Sequence, residues 1–212
     1  MRGTGSMKNP LHYQLSEYDC GPTSMLNAMS YLFPREDIPP EVIRNIMLYC
    51  LDCYGADGAS GKRGTSCMAM RFLSSWLNGF SPAGHFPVSS RYLSGQSVSL
   101  HQNSSLRDAL RRGGAAVVRV DLEGWHYVLL TNIREDQVYL FDPYYQEEPF
   151  PGGDIQMVAD HPGAYNRIVP VQYLEQKTQE VYSLGPAESR EAVLLFNEQT
   201  KLTAENTVEY MI

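Results

Sequence analysis

The chain has 212 residues, 43% of them hydrophobic and 19% charged, which is enough for one sizeable core and ordinary for a soluble globular protein. Its formal net charge is -7 and no Lys/Arg cluster interrupts that balance, so nucleic acid or another polyanion is excluded as the expected partner. No apolar run approaches the roughly 20 residues that a membrane span needs, and the N-terminus lacks the apolar middle of a signal peptide; a cytoplasmic location follows as the default expectation.

Residues 1–6 read as an expression-vector remnant, with Met7 as the natural start and residues 7–212 as a single domain. Residues 11–18 alternate apolar and polar loosely, as a strand or an extended lead-in segment does. A helix is predicted over 21–33, where Met25, Leu26, Met29 and Leu32 form an apolar stripe and Pro34 supplies the stop. Pro40 suits the first turn of a second helix that carries Val42, Ile43, Ile46 and Leu48. Cys50 and Cys53 form a C-x-x-C pair, followed by Cys67, but no second tight pair or His pair completes a zinc set. Without an export signal, free thiols are expected, with Cys50 and Cys53 packed on one helix face as small apolar residues. No metal and no cofactor is expected.

Residues 54–65 are rich in Gly, Ala and Ser and read as a loop, of a composition often found moving over clefts. Its Gly61-Lys62 invites a phosphate-loop reading, which fails because Ala56 stands at the required first glycine and Arg63 at the required Ser/Thr. A third helix is predicted over 66–77, with Met68, Phe72 and Trp76 spaced for burial and Gly79 as its stop. Residues 82–103 read as irregular apart from a short strand at 91–93. Ser104 or Ser105 caps a short helix over 106–112, which Gly113-Gly114 ends. Beyond it come β-rich runs at 115–120, 125–131 and 138–141, divided by turn residues, and two more at 167–173 and 192–196. Helices first and strands second argue for an α+β domain with segregated layers.

The segment from Gln14 to Ser24 carries the first chemical signal, because it places Cys20 at the start of a predicted helix. Backbone N–H groups and the helix dipole favour a thiolate there. Gly21 permits close approach of a substrate backbone, and Pro22 suits the first turn. A thiolate nucleophile needs a base that later acts as an acid. Of five histidines, His126 alone opens an apolar strand, in Gly124-Trp125-His126-Tyr127-Val128-Leu129-Leu130, and a strand end holds an imidazole firmly. Asp142 closes the next strand and comes near that edge if the two strands form a hairpin across 134–137; it then orients the imidazole. Gln14, six residues before Cys20, offers a side-chain amide that joins the Cys20 N–H as an oxyanion donor. Each residue has an ordinary structural explanation by itself, and it is their joint occurrence in this order that points to catalysis.

These motifs resemble the papain-like cysteine peptidases, most closely the bacteriocin-leader-processing family (cysteine peptidase family thirty-nine). The matching parts are Gln14 with Asp19-Cys20-Gly21-Pro22-Thr23-Ser24, then Gly64-Thr65-Ser66, the Gly-Trp-His126 strand and Phe141-Asp142-Pro143-Tyr144. The resemblance implies Cys20 as nucleophile, His126 as general base and acid, Asp142 as orienting partner and Gln14 as oxyanion donor. It also implies a helical part carrying the cysteine, packed on an antiparallel sheet carrying His and Asp, with the site in the cleft between. It spans residues 11–145, leaves the segment after Pro143 unmatched, and does not carry over the double-glycine leader specificity of relatives fused to transporters. Tyr144 and Tyr145 read either as cleft lining or as core aromatics. The expected activity is a cysteine peptidase or amidase acting on a peptide or other amide. An acyl- or peptidyl-transferase on the same triad and a silent papain-like binding module are the alternatives.

Overall fold

The structure, a computed structural model, describes residues 9–59 and 61–203; the expectation for residues 1–6 falls outside them. Three helices come first, α1 (Cys20–Leu32), α2 (Pro40–Cys50) and α3 (Cys67–Ala83). They are followed by β1 (Val88–Ser94), α4 (Ser105–Arg111), β2 (Ala115–Asp121), β3 (Trp125–Arg134) and β4 (Gln137–Phe141). The chain closes with β5 (Gln156–Met157), β6 (Arg167–Pro170), the single turn α5 (Val171–Leu174) and β7 (Glu191–Asn197). The strands form one sheet in the order β1-β7-β2-β3-β4-β6-β5, antiparallel throughout.

Alternation along the strands divides the core in two. Val117, Leu129 and Phe141 face α1, α2 and α3, where they meet Met25, Met29, Ile46 and Leu73. Val118, Leu130 and Leu140 face the other way, onto Leu106 and Leu110 of α4, Val169 and Tyr182. This is the expected α+β architecture, with the cysteine on the helical layer and the histidine and aspartate on the sheet.

Several local expectations are corrected. Ile43 and Leu48 of α2 are exposed, the latter 62%, and the buried face is Val42, Asn45, Ile46 and Cys50. In α3 the stripe Met68–Phe72 faces outward, Met68 being 63% exposed, while Met70, Leu73 and Leu77 enter the core. That helix is apolar on both sides, so periodicity alone admits two faces; on the outer one Phe72 packs against Tyr49 at 4.7 Å. Gly79 does not stop α3, which continues to Ala83 and ends where Gly84 N–H donates to the Phe80 carbonyl. A glycine stop needs a left-handed φ, and Gly79 is helical. Cys53 lies beyond the end of α2, where its N–H donates to the Gly64 carbonyl, and does not share a helix face with Cys50.

Residues 11–18 form no strand. Asn27 of α1 instead accepts from His12 N–H and donates to the His12 carbonyl, both at 2.8 Å, so a side chain replaces a strand neighbour. The region read as irregular contains the seven-residue β1, whose partner β7 lies a hundred residues away. The run 167–173 is a strand only to Pro170 and then turns into α5.

Candidate active site

Cys20 is the first residue of α1 and only 7% exposed. Its N–H belongs to the first turn and has no intrahelical acceptor. Gly21 beside it is required by packing, since a Cβ there would come within 2.1 Å of Thr65 Oγ1. Upstream, Asp19 gathers the chain into a tight loop. Its carboxylate accepts from Leu15 N–H at 2.9 Å, Ser16 N–H at 2.7 Å, Ser16 Oγ at 2.5 Å and Thr23 Oγ1 at 3.3 Å. Burial works against the Asp19 charge, but these donors outweigh it and hold the carboxyl below its usual range. The loop brings Gln14 to the same cleft as Cys20. Gln14 N–H donates to the Pro143 carbonyl at 2.8 Å and its Nε2 to the Ser16 carbonyl at 2.7 Å, which uses one of two amide hydrogens.

His126 is the second residue of β3 and is paired with Val120 of β2. Its Nε2 lies 2.8 Å from Asp142 Oδ1, which leaves Nδ1 as the ring nitrogen not engaged by the carboxylate. Burial opposes a charge on His126; the hydrogen bonds to Asp142 and Cys20 and the negative charge of both partners reverse that and raise its pKa to about 10. The site therefore favours the imidazolium form of His126.

A β-bulge determines how His126 meets Asp142. From the turn, β3 and β4 pair as Arg134 with Gln137 and Asn132 with Tyr139, but the register slips between Leu130 and Asn132 so that Leu129 faces Phe141. Continued by one residue, that register sets Asp142 opposite Val128, on the same face as His126 and diagonal to it. Without the extra residue, Asp142 would face Leu129 and lie on the other side of the sheet from His126.

Asp142 is 1% exposed and its oxygens are occupied by donors. Tyr144 N–H donates to Oδ1 at 2.8 Å and the Tyr182 hydroxyl to Oδ2 at 2.6 Å. Asn166 brackets the backbone: its Oδ1 accepts from Asp142 N–H at 2.7 Å and its Nδ2 donates to the Asp142 carbonyl at 2.8 Å. Sequence reasoning missed Asn166 and Tyr182. Both come from the segment after Pro143, and their only signal, a polar residue before a strand and a lone tyrosine, is indistinguishable from many others.

A cleft of about 770 Å³ opens above Cys20 and His126, walled by Trp125, Tyr144, Tyr145 and Phe150. Tyr144 and Tyr145 are thus cleft lining and not core. Arg119 lies under Trp125 with its guanidinium 4.6 Å from the ring, and Tyr13 meets Tyr145 edge-on at 5.1 Å. Cys50, Cys53 and Cys67 are all free, and among the described residues no group of three His, Cys, Asp or Glu is placed to hold a metal ion.

No family model and no curated protein matches this chain. Among solved structures, it is similar to a double-glycine-motif protease from an AMS/PCAT transporter in complex with the leader peptide. That similarity has 12% identity and a TM-score of 0.44, and covers 92% of this chain and 94% of that one. It is also similar to a putative C39-like peptidase from Bacillus anthracis, with 14% identity and a TM-score of 0.46 over 87% and 93% of the two chains.

Proposed function

We propose that this chain is a papain-like cysteine hydrolase that cleaves a peptide or other amide bond through a thioester on Cys20. The observation that carries the reading is the buried His126, hydrogen-bonded through Nε2 to the Asp142 carboxylate, lining one open cleft with the helix-start Cys20. In this reading Cys20 Sγ attacks the amide carbon and a C–S bond forms. The negative charge gathers on the carbonyl oxygen, where the Cys20 N–H and the Gln14 amide donate. The His126 proton passes to the amide nitrogen, the C–N bond breaks and the amine leaves. Water then attacks the thioester, yields a proton to His126 and releases the acid and the thiolate. Asp142 holds the imidazole in orientation throughout. The likeness to peptidase family thirty-nine belongs to this reading. Four unpaired cysteines suit a reducing compartment such as the cytoplasm.

The test is iodoacetamide labelling of the native protein across a pH series, with each modified cysteine mapped by mass spectrometry. The nearly buried Cys20 is expected to label faster than the exposed Cys67, well below the ordinary thiol pKa of about 8.5, and His126→Ala is expected to abolish the advantage. Preferential labelling of Cys67, with Cys20 following an ordinary thiol profile, would leave a silent papain-like module.

A further inference from the structure

Tyr182 stands in a backbone conformation that side chains rarely adopt, with φ +62°, and it is completely buried. Its segment is fastened to the end of β2 by a reciprocal pair. Tyr182 N–H donates to the Asp121 carbonyl at 2.7 Å and Asp121 N–H to the Ser183 carbonyl at 2.8 Å. β7 pairs with β2 only as far as Val118, so residues 119–121 keep a free edge for this docking. The same end of β2 pairs through Val120 and Asp121 with His126 and Trp125. The segment is thus anchored to the scaffold that carries the imidazole, and its strained residue sends a phenol inward to Asp142.

That phenol is the only hydrogen-bond partner of Asp142 Oδ2 among the described residues, whereas Oδ1 serves both His126 and Tyr144. The buried guanidinium of Arg167, whose Nη1 donates to the Asn166 carbonyl at 2.9 Å, partly offsets the effect of burial and of Asp142, which together hold the phenol pKa well above its ordinary value.

We propose that Tyr182 is a positioning residue for the reaction: by donating to Asp142 Oδ2 it keeps the carboxylate ionised and aimed at His126, and so sustains the imidazolium that activates Cys20. This rests on the function proposed above. A buried carboxylate oxygen deprived of its donor satisfies itself most readily by taking up a proton. Once Asp142 is neutral, its support for the imidazolium is lost and the thiolate with it, so reactivity fails at higher pH than in the intact site.

The experiment is the pH profile of Cys20 alkylation in the wild type, in Tyr182→Phe and in protein with 3-fluorotyrosine at position 182. Phenylalanine keeps the ring packing and removes the donor; the fluorinated phenol keeps the hydroxyl and strengthens it. The acid limb of the profile is expected to rise by about one pH unit with phenylalanine and to move down with fluorotyrosine. A role in packing alone lowers thermal stability without moving the limb, so an unmoved limb in both proteins overturns the proposal. Limbs that shift in the same direction overturn it as well. An ordinary thiol profile for wild-type Cys20 would instead overturn the hydrolase reading, and this inference with it. If the phenylalanine protein fails to fold, the fluorotyrosine protein decides alone.

Discussion

His126 carries the pH behaviour of the site. Its pKa is raised from the ordinary 6.5 to about 10 by Asp142 and Cys20, against the effect of burial. The proton is held more tightly in the folded than in the unfolded chain, so it contributes stability that is fully present below about pH 6.5 and is lost as pH rises towards 10. Denaturant unfolding of the wild type and His126→Gln across that interval is expected to show the wild type losing stability relative to the variant as pH rises. A constant difference would mean that the imidazole is held neutral. At the same scale, Cys20, His126 and Asp142 were legible in the sequence as candidates, because a nucleophile, a base and an orienting carboxylate need particular residue types, and the structure brings His126 onto Asp142 and into one cleft with Cys20. Gln14 was legible as a candidate but not in its contacts, since only the folded loop shows one amide hydrogen engaged by the Ser16 carbonyl.

Among the elements, α1 organises the helical side of the candidate site. It presents Cys20 at its start, and from its buried side Asn27 holds the lead-in segment through both polar groups of His12. Ser24 and Tyr31 donate from the same helix to the carbonyls of Tyr127 and Thr131 on β3, at 3.0 and 3.1 Å, so helix and strand are tied next to the site. Asn27→Ala removes two part-buried hydrogen bonds to the His12 backbone, each worth about 0.5–1.5 kcal/mol, and is expected to cost about 1–3 kcal/mol of unfolding free energy, measured in urea. Because Gln14 follows two residues later, the same variant is expected to slow Cys20 labelling as well. A variant of unchanged stability would mean that water replaces the side chain at no cost. The helices themselves were legible from spacing, but their buried faces were not where both sides are apolar, as α3 shows with Met68 and Phe72 outside and Met70 and Leu73 inside. Spacing records a period, and the neighbouring layer chooses the phase.

At the scale of the molecule, the cleft has a sign. Glu17, Glu123, Glu147 and Glu148 line it together with the aromatic walls, and among the described residues no Lys or Arg does. Carboxylates around a concave opening attract cations and repel anions before contact, an effect that salt screens. Cys20 is therefore expected to react faster with the cationic 2-aminoethyl methanethiosulfonate than with the anionic 2-sulfonatoethyl reagent, by about tenfold at low ionic strength. The ratio is expected to collapse at roughly 1 M salt and when the four glutamates are replaced by glutamine. Equal rates at low salt would show that the rim carboxylates exert no field at the nucleophile.

The sequence by itself determined the fold class, the order of layers and the residue types of the candidate triad, because these follow from local periodicity, turn residues and chemical necessity. Only the tertiary structure decided how the triad is aligned. The β3 bulge between Leu130 and Asn132 reverses the side on which Asp142 emerges, and a one-residue slip leaves no mark in composition. β1 was read mostly as irregular because its partner β7 is remote in sequence. Asn166 and Tyr182 reach Asp142 across 24 and 40 residues, distances over which no spacing rule operates and only the packed sheet brings side chains together.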